Sequence, residues 1–407
     1  MDQIDLGETE IVAKSLKGRP NIAILLGAGF SVPKRYPISK EIKDKLLKFD
    51  YRKCNLDTAD NLILLEDISP NDKLYKFNQI YFNIFKEIIK KYINNHKEFD
   101  YELFYDFINP QKNKDQDDFC NILNELKKYE NVTIGRLLYI IPCIYNQLII
   151  NIVKDKNSKI WYDNDIVHLG SCDDYDSFLK VLSRWSNDYL VDVHTLNHDM
   201  LFESFNNRDY IEGKICDGFD EYGSRYYGNL RIGTNEYHCR LERYTGRYNK
   251  PIRLYKLHGS FDYVPFYDRK KCGGKSEYVK FKKDIGPEDI IKESKSKMEY
   301  ENFSFTNHAD FLTGKFFKIG RYEEPFYKRL FKKYKKNLHS AEKLIIIGYG
   351  GKDEKINNAI LHYYDYKNKP VIIIDPDPSD NLVSFKNKLG AILIPESISG
   401  INENDLK

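Results

Sequence analysis

Two side chains in this sequence have the type and setting of catalytic groups. One is Asn197, in Thr195-Leu196-Asn197-His198-Asp199, and the other is His258, in Leu257-His258-Gly259-Ser260. A carboxamide both donates and accepts hydrogen bonds, and an imidazole exchanges protons near neutral pH. A means of binding an anion accompanies them. Gly27-Ala28-Gly29-Phe30-Ser31 follows the unbroken apolar run Ile22–Leu26 and precedes a polar, helix-compatible segment from Ser39 to Phe49. A glycine turn between a buried strand and a helix is where an α/β protein places a pyrophosphate. Glycine lets the backbone approach the ligand, and the helix start offers N–H groups and the positive end of its dipole. The third glycine of the usual dinucleotide pattern is absent, so a tight structural turn is the competing interpretation.

Such groups need rigid elements to hold them. Ile22–Leu26, Tyr189–Thr195, Ile252–Leu257, Lys343–Gly348 and Val371–Asp375 have the apolar runs of buried strands, and Ala391–Ile394 is a short further one. Strands alternating with helical stretches predict an α/β fold: a Rossmann-like doubly wound parallel sheet whose ligand lies beyond the C-terminal strand ends. Those ends carry the two motifs above, Gly348-Tyr349-Gly350-Gly351 with Asp353 just beyond, and Asp375-Pro376-Asp377. A carboxamide, an imidazole, hydroxyls and several glycines thus converge on one crevice.

Large segments interrupt this sheet. Residues 1–49, 187–206, 252–262 and 340–398 are expected to form the nucleotide-binding domain. Residues 50–186 read as a helical insertion over the open end of the sheet. Apolar residues recur at helical spacing in Tyr81–His96, Phe119–Tyr129, Ile134–Ile152 and Asp173–Ser186. Residues 207–251 and 263–339 read as smaller, irregular insertions, with turns at Asp217-Gly218-Phe219 and Tyr222-Gly223. The basic cluster from Lys328 to Lys336 sits on a helical pattern; a solvated face is the default interpretation, a polyanion surface the alternative.

Composition narrows the classes. The 407 residues suggest about two or three domains. Sixty-four basic against 61 acidic residues leave a formal charge of +3, which does not indicate nucleic-acid binding. No apolar run reaches the ~20 residues that span a bilayer, and the acidic N-terminus lacks a secretory core. A cytoplasmic protein is expected. The seven cysteines are scattered, with no Cys-x-x-Cys, and read as reduced thiols. Heavy use of Lys, Asn, Ile and Tyr fits AT-rich coding.

At the strand ends the chain resembles the sirtuin superfamily, through Gly27-Ala28-Gly29-Phe30-Ser31, Thr195-Leu196-Asn197-His198-Asp199, Leu257-His258-Gly259 and Gly348-Tyr349-Gly350 in the family order. It departs from deacetylating sirtuins in two respects. Their paired zinc cysteines are missing, and Val32-Pro33-Lys34-Arg35-Tyr36-Pro37-Ile38 stands where they have a Gly-Ile-Pro-Asp-Phe-Arg loop. With its helical insertion, the chain is similar to the sirtuin-like NAD hydrolases of bacterial antiphage defence, in which infection unleashes NAD+ depletion.

That resemblance implies NAD+ as substrate, no zinc, and cleavage of the nicotinamide–ribose bond. Asn197 would hold the water and ribose hydroxyls, and His258 would act as base. Gly27, Ala28, Gly29, Phe30 and Ser31 would cradle the pyrophosphate, with Thr195, Gly348 and Tyr349 lining the nucleotide. Asp375 would meet the adenosine ribose or simply close a turn. Asp199 would orient Asn197 or help hold the ribose, or else cap the helix that follows, and Asp353 reads as a helix cap. Strand alternation turns His194 and His198 away from Asn197. A homo-oligomer with a separate sensor or ATPase protein is expected, without membrane or nucleic acid. A protein deacylase or ADP-ribosyltransferase, and a non-catalytic NAD+ or ADP-ribose sensor, are the alternatives.

Overall fold

A computed structural model of the chain describes residues 16–37, 39–56, 62–64, 73–96, 99, 101–109, 115–126, 132–153, 173–208, 210–232, 234–267, 276–280, 290–293, 300–302, 324–402 and 404–406. Its centre is a parallel sheet of seven strands. In chain order they are β1 (Asn21–Leu26), β2 (Leu190–Thr195), β3 (Ile215–Cys216), β4 (Ile252–Lys256), β5 (Ala341–Ile347), β6 (Val371–Ile374) and β7 (Ile392–Ile394). Across the sheet the order is β7-β6-β5-β1-β2-β4-β3, and every pairing is parallel. From β1 the chain continues to one side, and from β5 to the other. The β1/β5 boundary is therefore the topological switch point, where a crevice opens beyond the strand ends.

The strands read as continuous apolar runs because helices cover both faces. Ile22, Ile24 and Leu26 of β1 pack with Val191, Val193, Ile345 and Ile347 on one face, against Phe178, Leu179 and Leu182 of α6 (Asp176–Asp188). The alternate residues Ala23 and Leu25 pack with Leu344, Ile346 and Ile373 on the other face. There they meet α8 (Pro325–Ser340), α9 (Glu354–Tyr363) and α10 (Asp380–Leu389). Each such side chain taken from water is worth about 1.5–3 kcal/mol.

Helices α1 (Ser39–Lys48), α2 (Lys73–Asn95), α3 (Tyr101–Ile108), α4 (Asp115–Leu126) and α5 (Ile134–Val153) build a second core. Phe85, Phe104 and Tyr145 are fully buried in it, with Ile42 and Leu46 from α1. Phe261, just past β4, joins this cluster and ties the helical layer to the sheet. The short helix α7 (Leu201–Ser204) follows β2.

Several expectations shift. The helix expected at Tyr81–His96 starts earlier, at Lys73, and the expected Phe119–Tyr129 is Asp115–Leu126, residues 127–131 lying outside the described residues. Helix α3 and edge strand β3 add two elements. The region read as an irregular insertion over 263–339 contains α8, whose Phe326, Tyr327, Leu330, Phe331, Tyr334 and Leu338 are buried against the sheet. It is a covering layer of the main core rather than an irregular excursion. Lys328, Arg329, Lys332 and Lys336 occupy its exposed side. Small antiparallel sheets, including Tyr226–Ile232 with Asn235–Arg240 and Tyr263–Tyr267 with Ser276–Lys280, fill much of the remainder. Among the described residues no helix is long and apolar enough to cross a membrane.

Candidate active site

A cavity of about 1970 Å³ lies over the C-terminal strand ends. Its lining includes Gly27, Ala28, Gly29, Ser31, Asn197, Asp199, His258, Gly348, Tyr349 and Asp375. Ile42, Phe99, Tyr101 and Ile149 form part of the wall, so the helical layer borders the same space. Two expected contact residues are absent from this lining. Phe30 is 1% exposed, its ring against Tyr175 and Phe178 at centroid distances of 5.2 and 5.6 Å. Its carbonyl accepts from the Tyr175 hydroxyl at 2.7 Å. Thr195 is 4% exposed, and its Oγ1 accepts from the Asn197 N–H at 3.0 Å. Both residues hold the loops that carry the site.

The glycine turn is a short 3-10 helix, Ala28–Lys34, entered from Gly27. The turn lies directly against the end of β5. The Gly27 N–H donates to the Ile347 carbonyl and the Gly29 N–H to the Gly348 carbonyl, both at 2.9 Å. Gly348 sits at φ +59°, and a Cβ there would be 2.4 Å from the Phe30 nitrogen. The glycines are thus needed first for the approach of two backbones. Of the expected N–H cradle, those of Gly27, Gly29 and Phe30 are spent on carbonyls of the protein.

Asn197 is locked to this turn. Its Nδ2 donates to the Gly27 carbonyl at 2.9 Å and to Ser31 Oγ at 3.0 Å. A carbonyl only accepts, so the amide nitrogen must face it, and Oδ1 is the atom the side chain can offer to a ligand. The Ser31 hydroxyl donates to Asp199 Oδ2 at 2.9 Å, while Asp199 Oδ1 accepts from the Leu201 N–H at 3.0 Å. Asp199 therefore orients Asn197 through Ser31 and takes the first N–H of α7, and it also lines the cavity. Burial pushes its carboxyl above the ordinary carboxylate value, against the pull of the Lys256 ammonium.

Lys256, at the end of β4, braces the same turn from below. Its Nζ donates to the carbonyls of His198 and Asp199 and reaches Glu203 Oε1 at 2.9 Å, with both side chains buried. Two residues on, His258 projects into the cavity and is 4% exposed. Its Nε2 lies 3.3 Å from Oδ2 of Asp353, a partner not anticipated from the sequence. Asp353 also caps α9, Oδ1 accepting from the Ile356 N–H at 3.1 Å. The Tyr349 hydroxyl accepts from the Asp353 N–H at 3.1 Å and donates to Asn357 Oδ1 at 2.9 Å.

The two neighbouring histidines part ways. His194 is fully buried in the core, far from solvent, as alternation implied. His198 lines the cavity instead, its ring 6.2 Å from that of His258 and 5.6 Å from Phe261. Strand alternation fails for it because β2 ends at Thr195. Asp375 is half-buried; burial pushes its carboxyl up, and Oδ1 accepts from the Asp377 N–H at 3.0 Å, closing the turn after β6. Among the described residues no group of three or more His, Cys, Asp or Glu side chains has metal-holding geometry.

No protein-family model matches the chain, and no curated protein does. Solved structures that match include one described as "Structural Basis for the Mechanism and Regulation of Sir2 Enzymes". It is 11% identical, covers 98% of this chain and 94% of that one, and has a TM-score of 0.38. A Sir2 homologue in complex with NAD is 10% identical, with 100% and 93% covered and a TM-score of 0.36. A substituted Sir2 homologue with 2'-O-acetyl ADP ribose is 10% identical, with 99% and 95% covered and a TM-score of 0.35. Likeness of this degree assigns no role to any residue here.

Proposed function

We propose that the chain binds NAD+ in this cavity and hydrolyses the nicotinamide–ribose bond, releasing nicotinamide and ADP-ribose. One observation carries the proposal: Asn197, His258 and the Gly27–Ser31 turn line a single cavity at the sheet's switch point. Their occurrence in the sirtuin order supports the choice of NAD+ over other dinucleotides. With several of the turn's N–H groups already spent, the diphosphate would rest on Ala28 and on the lysines of the lining, Lys43, Lys335, Lys352 and Lys355.

The chemistry needs little from the protein. The bond between ribose C1' and the nicotinamide nitrogen breaks with its electron pair leaving on a ring that becomes neutral, so no general acid is required. A water oxygen then bonds to C1', and its proton passes to a base. Asn197 Oδ1 would accept from that water or from a ribose hydroxyl, fixing its position as charge develops. His258 would take the proton, a contribution of ~10²–10⁴ in rate.

An unrestrained hydrolase of this kind would empty its own cell of NAD+. The proposal therefore carries with it a controlled effector, in the manner of antiphage defence, held off by the helical insertion over the pocket or active only once oligomerisation or a separate sensor or ATPase protein completes the site. The helical layer borders the cavity through Ile42, Phe99, Tyr101 and Ile149, which supports a role for it in such control.

Purified protein incubated with NAD+, with and without an acetylated peptide, tests the proposal by chromatography of the products. Nicotinamide release without peptide, lost in Asn197→Ala and His258→Ala, is expected. Release only with peptide would instead mark a deacylase or transferase, and tight binding without turnover a sensor module. Silence from the isolated protein is followed by the same assay with infected-cell extract.

A further inference from the structure

The contact between His258 and Asp353 goes further than the proposed hydrolysis, on which it rests for its catalytic consequence. We infer that Asp353 is the positioning residue that fixes His258 in the tautomer carrying its proton on Nε2, so that Nδ1 is the atom acting as base. Oδ2 of Asp353 stands 3.3 Å from Nε2, and a carboxylate there can only accept, which places the ring proton on that nitrogen. The carboxylate itself has little freedom. Oδ1 is held by the Ile356 N–H, and the residue's own N–H by the Tyr349 hydroxyl, which Asn357 holds in turn. The first turn of α9 and the end of β5 thus aim one carboxylate at a histidine delivered by β4. Among the described residues, Asp353 from the loop after β5 and His198 from the loop after β2 stand beside the imidazole. Lys256, two residues before, turns its ammonium to Glu203 instead.

A cap alone would be satisfied by other residues, and that provides the test. Asn and Ser both cap helices well. Asp353→Asn offers an amide N–H to Nε2 and so reverses the tautomer; Asp353→Ser is too short to reach the ring. With thermal stability kept, both variants are expected to lower kcat for NAD+ cleavage about 10²-fold, the scale of a lost general base. KM should stay within about threefold, and the acid limb of the kcat–pH profile should move in Asp353→Asn. Unchanged kcat and profile in either capped variant would reduce Asp353 to a cap and overturn the inference. Long-range 15N NMR of labelled histidine, with the His258 signal assigned by its loss in His258→Gln, reads the tautomer without any substrate. A proton on Nε2 in the wild type and on Nδ1 in Asp353→Asn supports the inference even if NAD+ proves not to be cleaved. A wild-type proton on Nδ1 sinks it whatever the activity.

Discussion

A Cβ placed on Gly27 would stand 2.5 Å from the carbonyl oxygen of Gly348 and 2.7 Å from Cα of Tyr349. The obstacle is backbone on both counts, and neither strand end can retreat, since β1 and β5 are the paired centre of the sheet. Gly27→Ala is therefore expected to cost on the order of 1–3 kcal/mol through forced backbone shifts. Gly350 supplies the control. It lines the same cavity, is exposed, and has nothing within 4 Å of its added Cβ. Gly350→Ala should stay within about 0.5 kcal/mol of wild type. Urea unfolding of the pair decides the matter, and equal losses would mean that the close approach is not what Gly27 is there for.

Asn197 uses both amide protons inside the protein, on the Gly27 carbonyl and on Ser31 Oγ, whose own proton goes to Asp199. In Asn197→Asp an acceptor would face the Gly27 carbonyl and a second carboxylate would enter a site that already buries Asp199. Asn197→Asp should thus be less stable than Asn197→Ala, by about 1–3 kcal/mol. Differential scanning calorimetry of the two variants provides the comparison; an Asp variant as stable as the Ala one contradicts the assigned amide orientation.

How far this site was legible in the sequence depends on the range of each contact. The strands were legible because Ile22–Leu26 or Leu344–Ile347 needs only its own apolar run to announce burial on both faces. The strand-end rule then located Asn197, His258 and the glycine turns. Pairings between distant segments were not legible. Nothing near Phe30 reveals that its ring belongs to the core around Tyr175, and nothing near Asp353 reveals His258. Strand β3 is two residues long and carries no periodicity; its place is set by pairing, Ile215 with Ile252. The helical pattern of α8 was legible around Lys328–Lys336, but its lysines masked the opposite face, on which Phe331 and Tyr334 are buried against the sheet.

Lys256 and Glu203 form a buried ion pair at 2.9 Å beneath the Asn197 turn. Breaking such a pair leaves a charge in a poor medium, which typically costs about 3–5 kcal/mol. Lys256→Met should fall in that range, and it also removes the donor to the His198 and Asp199 carbonyls. Glu203→Gln in the same chain removes the stranded charge, so the double variant should recover part of the loss. A double-mutant cycle from urea unfolding measures the coupling, and strictly additive losses would show that the pair contributes nothing as a pair.

His194 gives the molecule a predictable response to acid. Burial pushes its imidazole down to about 3, because the ring is fully enclosed between Tyr255 and Tyr334. Its two nitrogens are satisfied in the neutral form: Nδ1 donates to the Ile24 carbonyl at 3.3 Å and Nε2 accepts from Asn337 Nδ2 at 3.1 Å. The unfolded chain protonates this group below about 6.5, whereas the folded chain does not until about 3. Its contribution to stability is whole above that upper value and is lost as the pH falls through the window, by ~1.4 kcal/mol per pH unit. Between pH 7 and pH 5 the wild type should therefore lose about 2 kcal/mol more than His194→Gln, which has no charge to gain. Unfolding free energies of both proteins at pH 7, 6 and 5 test this directly. Parallel pH curves would mean that His194 takes up its proton as readily in the folded protein as in the unfolded chain, and that the hydrogen bond from Asn337 does not hold the ring neutral.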